Sequence, residues 1–263
     1  MNSSKSAAIL VAAGQGERLA GFSDGKPKQF SELGGVPLFV WSLATFAVHP
    51  AVEQIVLSIP EGWQSETLDW INQYLPQLIH KITIVIGGTA RQESVCLALE
   101  ALAKADNIPE YVFIHDAARP FVAADTIDQI LKKLKQGHAV TLAVPISDSV
   151  KGVSEGIIVE DLDRNKLVFV QTPQAAQFHI VLAAHRSARL KQQIATDDAA
   201  IIKSHGVDVI TIPGSRLNLK ITEPEDLVIA NALIKNHNWH PGQIILLPQE
   251  KLVSNLPLLN IGN

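Results

Sequence analysis

Short apolar runs alternate with segments of helical periodicity along the first half of the chain, and this alternation limits the fold more than any other sequence feature. Residues 8–13 form a continuous apolar run, as expected of a strand buried on both faces of a sheet. Comparable runs occupy 54–59, 81–86, 111–114 and 139–144, and helical spacing occupies 36–49, 64–79, 95–102 and 127–134. Strands and helices in this order predict an α/β fold with a mostly parallel sheet flanked by helices.

Size and composition favour a single folded domain. The chain has 263 residues, of which 47% are hydrophobic, enough for the core of one large α/β domain. A net charge of −4 gives no overall attraction to nucleic acid or to an acidic membrane surface. No apolar stretch reaches the roughly 18 residues of a membrane span, and the single cysteine, Cys96, is compatible with a reducing compartment. We therefore expect a cytoplasmic protein without nucleic-acid or membrane partners.

A glycine-bearing, cationic loop follows the first apolar run. Gly14 and Gly16 allow a tight turn whose N–H groups can approach an anion, and Arg18, Lys26 and Lys28 add positive charge. The pattern indicates a polyphosphate site, although a tight turn with solvated cations would look the same. A dinucleotide fingerprint is not supported, because leucine occupies its third glycine position, and no P-loop spacing occurs.

A second candidate element follows the strand at 81–86. Gly88 permits close backbone approach there, and Ser94 offers a hydroxyl near a helix start, where anions are favoured. Arg91 lies between them in the segment Gly-Gly-Thr-Ala-Arg-Gln-Glu-Ser. A turn with an exposed arginine is the alternative interpretation of this segment.

The fourth predicted strand ends in the segment His-Asp-Ala-Ala-Arg-Pro at 115–120. Parallel strands present their carboxyl ends at one edge, so Asp116 should face the same phosphate-rich ligand as the glycine loop. A carboxylate is tolerable there if a cation lies between, which suggests that Asp116 holds Mg²⁺. The alternative is that Asp116 and Arg119 form a surface ion pair or cap the next turn.

The pattern changes after Pro145. Short extended pieces at 157–160 and 167–171, without room for a crossover helix, predict a β-arm leaving the main sheet. Charged residues on such an arm often serve only to solubilise an edge. A helix is predicted at 178–190, and Thr196, Asp197 and Asp198 then open another, where N-capping is the simplest role for the acidic pair.

Several of these segments together resemble one family. The strings AAGQGERL and KPKQF, the pattern Gly-Gly-x-x-Arg-x-x-Ser-Val and the segment HDAARP are similar to the motifs of the 2-C-methyl-D-erythritol 4-phosphate cytidylyltransferases. The resemblance implies a Rossmann-like sheet of the nucleotide-diphospho-sugar transferase type with a protruding β-arm. It also implies a nucleotidyltransferase domain at 1–237, with the arm at about 145–171, and a C-terminal extension at 238–263 whose role the sequence leaves open.

The resemblance also implies roles for individual residues. It assigns catalytic cationic roles to Arg18, Lys28 and Lys220. It assigns CTP binding to Ala12, Ala13, Gly14, Gly16, Arg18, Lys28, Gly88, Arg91, Ser94, Asp116 and Ala117. It assigns polyol phosphate binding to Asp116, Arg119, Ser149, Arg164, Thr172 and Lys220, with Asp116 as the ligand of Mg²⁺.

The implied reaction is cytidylyl transfer from CTP to 2-C-methyl-D-erythritol 4-phosphate within a homodimer whose arms exchange between subunits. A ribitol 5-phosphate cytidylyltransferase shares much of this layout, and Ala117 and Ala118 before Arg119, together with Lys151, favour the methylerythritol substrate. A non-catalytic nucleotide-binding module is a third alternative. Retention of Arg18, Lys28, Asp116 and Lys220 argues against that module.

Overall fold

The computed structural model describes residues 5–14, 26–237 and 239–241. The strands in these ranges are β1 Ser6–Val11, β2 Glu32–Leu33, β3 Val36–Pro37, β4 Val52–Ile59, β5 Ile82–Ile86, β6 Tyr111–Asp116, β7 Ala139–Pro145, β8 Val150–Ser154, β9 Ile157–Leu162, β10 Val168–Gln177 and β11 Val209–Pro213. The helices are α1 Leu38–Val48, α2 Gln64–Tyr74, α3 Arg91–Ala103, α4 Ala124–Leu134, α5 Phe178–Leu190, α6 Asp198–Ser204 and α7 Pro224–His237. Short 3₁₀ turns occur at Lys28–Phe30, Ile79–Lys81 and Arg164–Lys166.

Seven strands form the central sheet in the order β11-β7-β10-β6-β1-β4-β5. Every neighbouring pair is parallel except the two pairs that involve β10, which runs antiparallel to both β6 and β7. The predicted α/β fold with a mostly parallel sheet is therefore confirmed. The sequence did not reveal that β10 lies near the middle of the sheet.

The core lies on both faces of this sheet. In β1, Ala8 and Leu10 pack on the side of α1 and α4, whereas Ala7 and Ile9 pack on the side of α3 and α5. Since successive strand residues point to opposite faces, a strand covered on both sides must be apolar throughout. This explains why the first strand reads as a continuous apolar run.

Helix α2 is shorter than its sequence pattern predicts. The spacing of apolar residues extends to residue 79, but the helix ends at Tyr74. Leu75 precedes a proline and has φ −135° and ψ 43°, outside the helical region. A proline ring disfavours helical geometry in the residue before it, which stops the helix at this point.

The arm is a two-stranded hairpin made by β8 and β9. Its side chains are mostly exposed and include apolar ones such as Val153, Ile157 and Ile158. The following strand does not belong to it, because β10 pairs with β7 from Val168 onward. The segment that leaves the main sheet thus ends before 167–171, which the sequence pattern had placed in the arm.

The single cysteine and the lengths of the helices complete the description of the fold. Cys96 is a buried free thiol on α3. Within the described ranges, no helix has both the length and the apolar character that crossing a bilayer requires.

Gly87, which follows β5, lies close against the segment that follows β1. A methyl group at Gly87 would lie 2.2 Å from Ala13 Cβ and 2.7 Å from the hydroxyls of Ser58 and Ser94. The sequence had assigned close approach to Gly88, but there the obstructing atoms belong to the flexible side chain of Glu93. Gly87 therefore sets the spacing between the two strand ends.

We predict that Gly87→Ala destabilises the fold, because the crowding atoms at Ala13 belong to a fixed strand end. Overpacking of this kind costs about 1–3 kcal/mol, and each kcal/mol shifts the melting temperature of a chain this large by about 2–4 °C. Gly14→Ala is the matched control, since a methyl group there meets no atom within 4 Å among the described residues. Thermal unfolding followed by circular dichroism should show a drop on the order of 5 °C for Gly87→Ala alone. Equal melting temperatures for the two variants would contradict this interpretation.

Candidate active site

The carboxyl ends of β1, β5 and β6 open onto a cavity of about 180 Å³. The 3₁₀ turn at Lys28–Phe30 and the segment after β11 complete its wall. The cavity brings together nine residues that the sequence predicted for the site: Ala12, Ala13, Gly14, Lys28, Gly88, Arg91, Ser94, Asp116 and Lys220. Residues from four distant parts of the chain therefore converge as predicted for a ligand site at this sheet edge.

Asp116, the last residue of β6, is the electrostatic centre of the cavity. Its carboxylate is largely buried, and Oδ1 lies 2.9 Å from Arg91 Nε while Oδ2 lies 2.7 Å from Lys220 Nζ. Burial alone would raise the pKa of Asp116, but Arg91 and Lys220 overcome it and hold that pKa well below its usual range. The carboxylate is thus ionised at neutral pH. Arg119 Nε also pairs with Asp116, but at 3.9 Å and with both side chains largely buried, so this is neither a surface pair nor the main contact of the carboxylate.

The backbone of Asp116 is fixed by a second set of contacts. Its N–H donates to the Thr172 hydroxyl at 3.0 Å, and that hydroxyl lies 3.2 Å from His115 Nδ1. Burial lowers the pKa of His115 to about 4, so the ring is neutral at pH 7. Its Nε2 can then donate to the Arg119 carbonyl at 3.1 Å while Nδ1 accepts from Thr172. These contacts orient the strand end that carries Asp116.

Arg91, the first residue of α3, binds a second carboxylate. Its Nη1 lies 2.8 Å from Asp198 Oδ2, while its Nε contacts Asp116. Asp197 caps α6 by accepting from the Ala200 N–H, as predicted, but Asp198 faces inward and is fully buried. The sequence pattern does not predict this contact. Two adjacent aspartates at one helix start were the available signal, because a cap needs only one.

The turn between β5 and α3 is held by the Ser94 hydroxyl. It accepts from the Gly88 N–H at 3.1 Å and donates to the Ala90 carbonyl at 3.0 Å. Glu93 ties the same turn by accepting from the Thr89 N–H at 2.9 Å. Ser94 thus lines the cavity, but its hydroxyl proton is donated within the turn. The expected hydrogen bond from this hydroxyl to a bound anion would need that proton.

Lys28 is placed by the packing of its own turn. Phe30, two residues on, is buried and stacks on Trp63 with ring centroids 4.8 Å apart. Lys28 lines the cavity. Burial raises the pKa of Asp226, but hydrogen bonds from Glu223 and Thr222 and the nearby charge of Lys28 outweigh that effect and lower it. The aromatic anchor holds the start of the turn at the sheet edge.

The other predicted residues that the structure describes lie outside the cavity wall. Ala117 is buried, and its N–H joins the ends of the strands by donating to the Val11 carbonyl at 3.1 Å. Arg119 packs behind Asp116 and donates to the Asn218 carbonyl at 2.9 Å. Thr172 is buried, whereas Ser149 and Arg164 are exposed on the arm, where Arg164 donates to the Ser147 carbonyl. Gly16 and Arg18 lie outside the described residues.

A metal at this site would have few protein ligands. The described residues contain no group of three or more His, Cys, Asp or Glu side chains placed to hold an ion. Asp116 offers one carboxylate, and each of its oxygens has a lone pair beyond the one used by its cationic partner. Mg²⁺ is commonly held by one or two carboxylates together with substrate phosphates and water. The donor set therefore fits Mg²⁺ that arrives with a polyphosphate.

The arrangement suits charge stabilisation rather than covalent catalysis. Lys28, Arg91 and Lys220 line the cavity, the last two contact one ionised carboxylate, and the Ser94 hydroxyl is engaged with the turn. No His, Lys or carboxylate is hydrogen-bonded to Ser94 as a base would be in the described part of the site. Such a set can bind and orient a polyanion and stabilise charge on a phosphoryl group.

Comparisons with known proteins agree with this geometry. The sequence profile of 2-C-methyl-D-erythritol 4-phosphate cytidylyltransferase matches residues 6–236. The enzymes of that name from Halalkalibacterium halodurans and Bacillus licheniformis are 38% and 36% identical to the chain, over 226 and 227 residues. Both alignments cover 86% of this chain, and they cover 95% and 94% of the respective relatives.

A comparison with solved structures identifies the same family of enzymes as the sequence comparison does. The crystal structure of the Francisella tularensis 2-C-methyl-D-erythritol 4-phosphate cytidylyltransferase superimposes with a TM-score of 0.72 at 30% identity. The superposition covers 87% of this chain and 99% of that one. Profile, sequence and structure thus agree over nearly the same residues. The chain belongs to the 2-C-methyl-D-erythritol 4-phosphate cytidylyltransferase family.

Proposed function

We propose that the protein transfers the cytidylyl group of CTP to 2-C-methyl-D-erythritol 4-phosphate. The products are 4-diphosphocytidyl-2-C-methyl-D-erythritol and pyrophosphate, and the reaction belongs to isoprenoid precursor synthesis. The observation that carries the proposal is a cavity lined by Lys28, Arg91 and Lys220, the last two in contact with the Asp116 carboxylate, in a chain of this family. A cytoplasmic location is part of the proposal, consistent with the one buried, unpaired cysteine.

The reaction needs no covalent enzyme intermediate. An oxygen of the acceptor phosphate bonds to the α-phosphorus of CTP, and the bond from that phosphorus to the oxygen bridging the β-phosphate breaks. Pyrophosphate leaves with the electron pair. The acceptor phosphate is already anionic near neutral pH, so no protein base is required. The barrier lies in bringing two polyanions together and in charge on the α-phosphoryl oxygens.

The chain supplies positioned positive charge for this step. Lys28 and Lys220 line the cavity, and we assign them to the phosphates of CTP. Arg18 joins them in the proposal on the strength of the sequence motif alone. Gly14 leaves room for close approach of the nucleotide, since the space beside its Cα holds no atom of the described residues within 4 Å of a Cβ position. Arg91 adds a planar guanidinium whose charge is fixed beside the cavity by Asp116 and Asp198.

Mg²⁺ is the proposed cofactor, with Asp116 as its protein ligand. When bound, the ion would neutralise phosphate charge and raise the electrophilicity of phosphorus. Asp116 itself keeps Arg91 and Lys220 at the sheet edge through its two carboxylate oxygens.

The acceptor half of the site is proposed to need a second copy of the chain. Ser149 and Arg164, predicted to bind the polyol phosphate, are exposed on or beside the β8–β9 arm. Apolar side chains on the same arm, Val153, Ile157 and Ile158, are 61–68% exposed. An arm that packs on a partner would bury these side chains. We propose a homodimer in which the arm of each subunit completes the other's site, with residues 1–237 as the catalytic domain and 238–263 as an extension.

The proposal is tested by following pyrophosphate release with Mg²⁺ and CTP. Each acceptor, 2-C-methyl-D-erythritol 4-phosphate and ribitol 5-phosphate, is supplied in turn. Turnover with the first acceptor and little with the second is expected. Faster turnover of ribitol 5-phosphate would overturn the substrate assignment, and no release with either acceptor would favour a nucleotide-binding module.

We predict that Lys28→Ala and Arg18→Ala lower kcat on the order of 10²-fold, because their charges matter most when the α-phosphoryl group gains negative charge. Binding of CTP, measured by calorimetry, should weaken far less. Lys132→Ala is the control, since this lysine lies on the exposed side of α4. Near-normal turnover in both loop variants would remove the loop from the mechanism.

A second prediction concerns the metal: Asp116→Asn should raise the Mg²⁺ concentration that gives half-maximal rate. A neutral amide holds a hard cation less well than a carboxylate does. The measurement is an Mg²⁺ titration of the initial rate at saturating CTP, with Asp69→Asn on the exposed side of α2 as the charge control. Lower activity with an unchanged Mg²⁺ dependence would show that Asp116 orients side chains or substrate rather than metal.

A third prediction concerns assembly: Lys28→Ala and Arg164→Ala chains should rescue each other in a mixed dimer. If the arm crosses to the partner, one site of that dimer carries both lesions and the other carries neither. Doubly tagged dimers from coexpression should then recover about half of the wild-type rate per site.

The matched control pairs Lys28→Ala with Lys220→Ala, two residues that line the cavity of the same chain. In that dimer each site carries one lesion, so no rescue is expected. Each single variant must first be shown to be folded and inactive alone. An inactive Lys28→Ala/Arg164→Ala dimer would contradict the shared site.

A further inference from the structure

Asp198 is buried, and its burial is not explained by capping of the helix that it begins. It is the first residue of α6 and has 0% exposure. Asp197 performs the capping, accepting from the Ala200 N–H and from Gln174 Nε2 at 2.9 Å each. No N–H of the described backbone donates to Asp198. Its carboxylate must therefore be explained by what it faces.

Asp198 faces two side chains from other helices. Its Oδ2 lies 2.8 Å from Arg91 Nη1 on α3, and its Oδ1 lies 3.2 Å from His185 Nε2 on α5, which is also fully buried. Burial would raise the pKa of Asp198, but Arg91 and His185 overcome that effect and lower it. Asp198 is thus a fixed negative charge beside the guanidinium.

The guanidinium of Arg91 is consequently held from two sides. Nε contacts Asp116 at 2.9 Å, and Nη1 contacts Asp198 at 2.8 Å. The remaining nitrogen, Nη2, is buried and has no hydrogen-bond partner among the described residues. A buried guanidinium nitrogen normally donates to an acceptor. Arg91 also lines the cavity, so its guanidinium charge lies beside the place proposed for the nucleotide.

We propose that Asp198, supported by His185, is a positioning residue that fixes Arg91 for the nucleotide. This inference rests on the proposed role of Arg91 in CTP binding. Two carboxylates on different elements restrict the guanidinium to one orientation before CTP arrives, so little side-chain freedom is lost on binding. With Asp116 as its only partner, the Arg91 guanidinium could still rotate about the contact between its Nε and Asp116.

The first test is kinetic and uses Asp198→Asn, which removes the charge with almost no change of shape. The variant should lower kcat/KM for CTP about tenfold or more, mainly through KM. Asp197→Asn is the matched control, because it removes the same charge one residue away and keeps an oxygen for the cap. It should change kcat/KM less than about threefold.

The role is distinguished from a structural one by repeating Asp198→Asn in an Arg91→Ala background. A residue that acts through Arg91 has nothing left to position there, so the further loss should be less than about twofold. The same loss in both backgrounds would overturn the proposal, as would full activity of Asp198→Asn. Full activity of Arg91→Ala would overturn it as well.

The second test does not depend on activity. Without ligand, the Nε–H signal of Arg91 is identified by its disappearance in Arg91→Lys, and its exchange with water is measured by NMR. Exchange should be at least about tenfold faster in Asp198→Asn than in wild type or Asp197→Asn. Equal rates in all three proteins would refute the positioning role even if cytidylyl transfer is observed. Faster exchange would support it even if the wild type transferred no cytidylyl group.

Discussion

The ionised carboxylate of Asp116 is the constraint on which the rest of the site depends. A charge taken out of water is strongly unfavourable unless it is paired, and its two close partners, Arg91 and Lys220, come from distant segments. The sheet must therefore bring the end of β6, the start of α3 and the segment after β11 to one place. With Arg119 and Asp198 included, three cations face two carboxylates. The net positive charge at the sheet edge favours a polyphosphate.

Sequence could predict the features that depend on local pattern. Buried parallel strands are apolar on both faces, so β1 and β6 were recognisable, and their carboxyl ends gave the location of Asp116 and the glycine loop. Features that depend on tertiary contact were missed. The Arg91–Asp198 pair joins helices far apart in the chain, and β10 enters the sheet centre by pairing with strands on both sides. Neither leaves a local periodicity to detect.

The residues predicted to bind the nucleotide and those predicted to bind the acceptor differ in how closely a single chain brings them together. Most residues predicted to bind the nucleotide line one cavity of a single chain, where hydrogen bonds from Asp116 through Thr172 to His115 set the strand end. Of the residues predicted to bind the acceptor, Ser149 and Arg164 alone lie with the exposed arm, away from this cavity. Motif matching cannot make this distinction, because a motif identifies a residue type without saying which subunit's cavity it enters. Thr172 shows the same limit, for its motif suggested phosphate binding while its hydroxyl supports Asp116.

The two cations on Asp116 are held differently, and this difference suggests how charge can follow the reaction. Arg91 is fixed between two carboxylates and is therefore suited to constant recognition of the nucleotide. Lys220 is 37% exposed and contacts Asp116 through one flexible, single-point ammonium. A phosphate entering the cavity competes with Asp116 for that ammonium. We infer that the Lys220 ammonium moves from the Asp116 carboxylate to a phosphate of the nucleotide as the nucleotide binds. The ammonium is therefore paired with an anion both before and after binding. Its long side chain can then follow the negative charge toward the departing pyrophosphate.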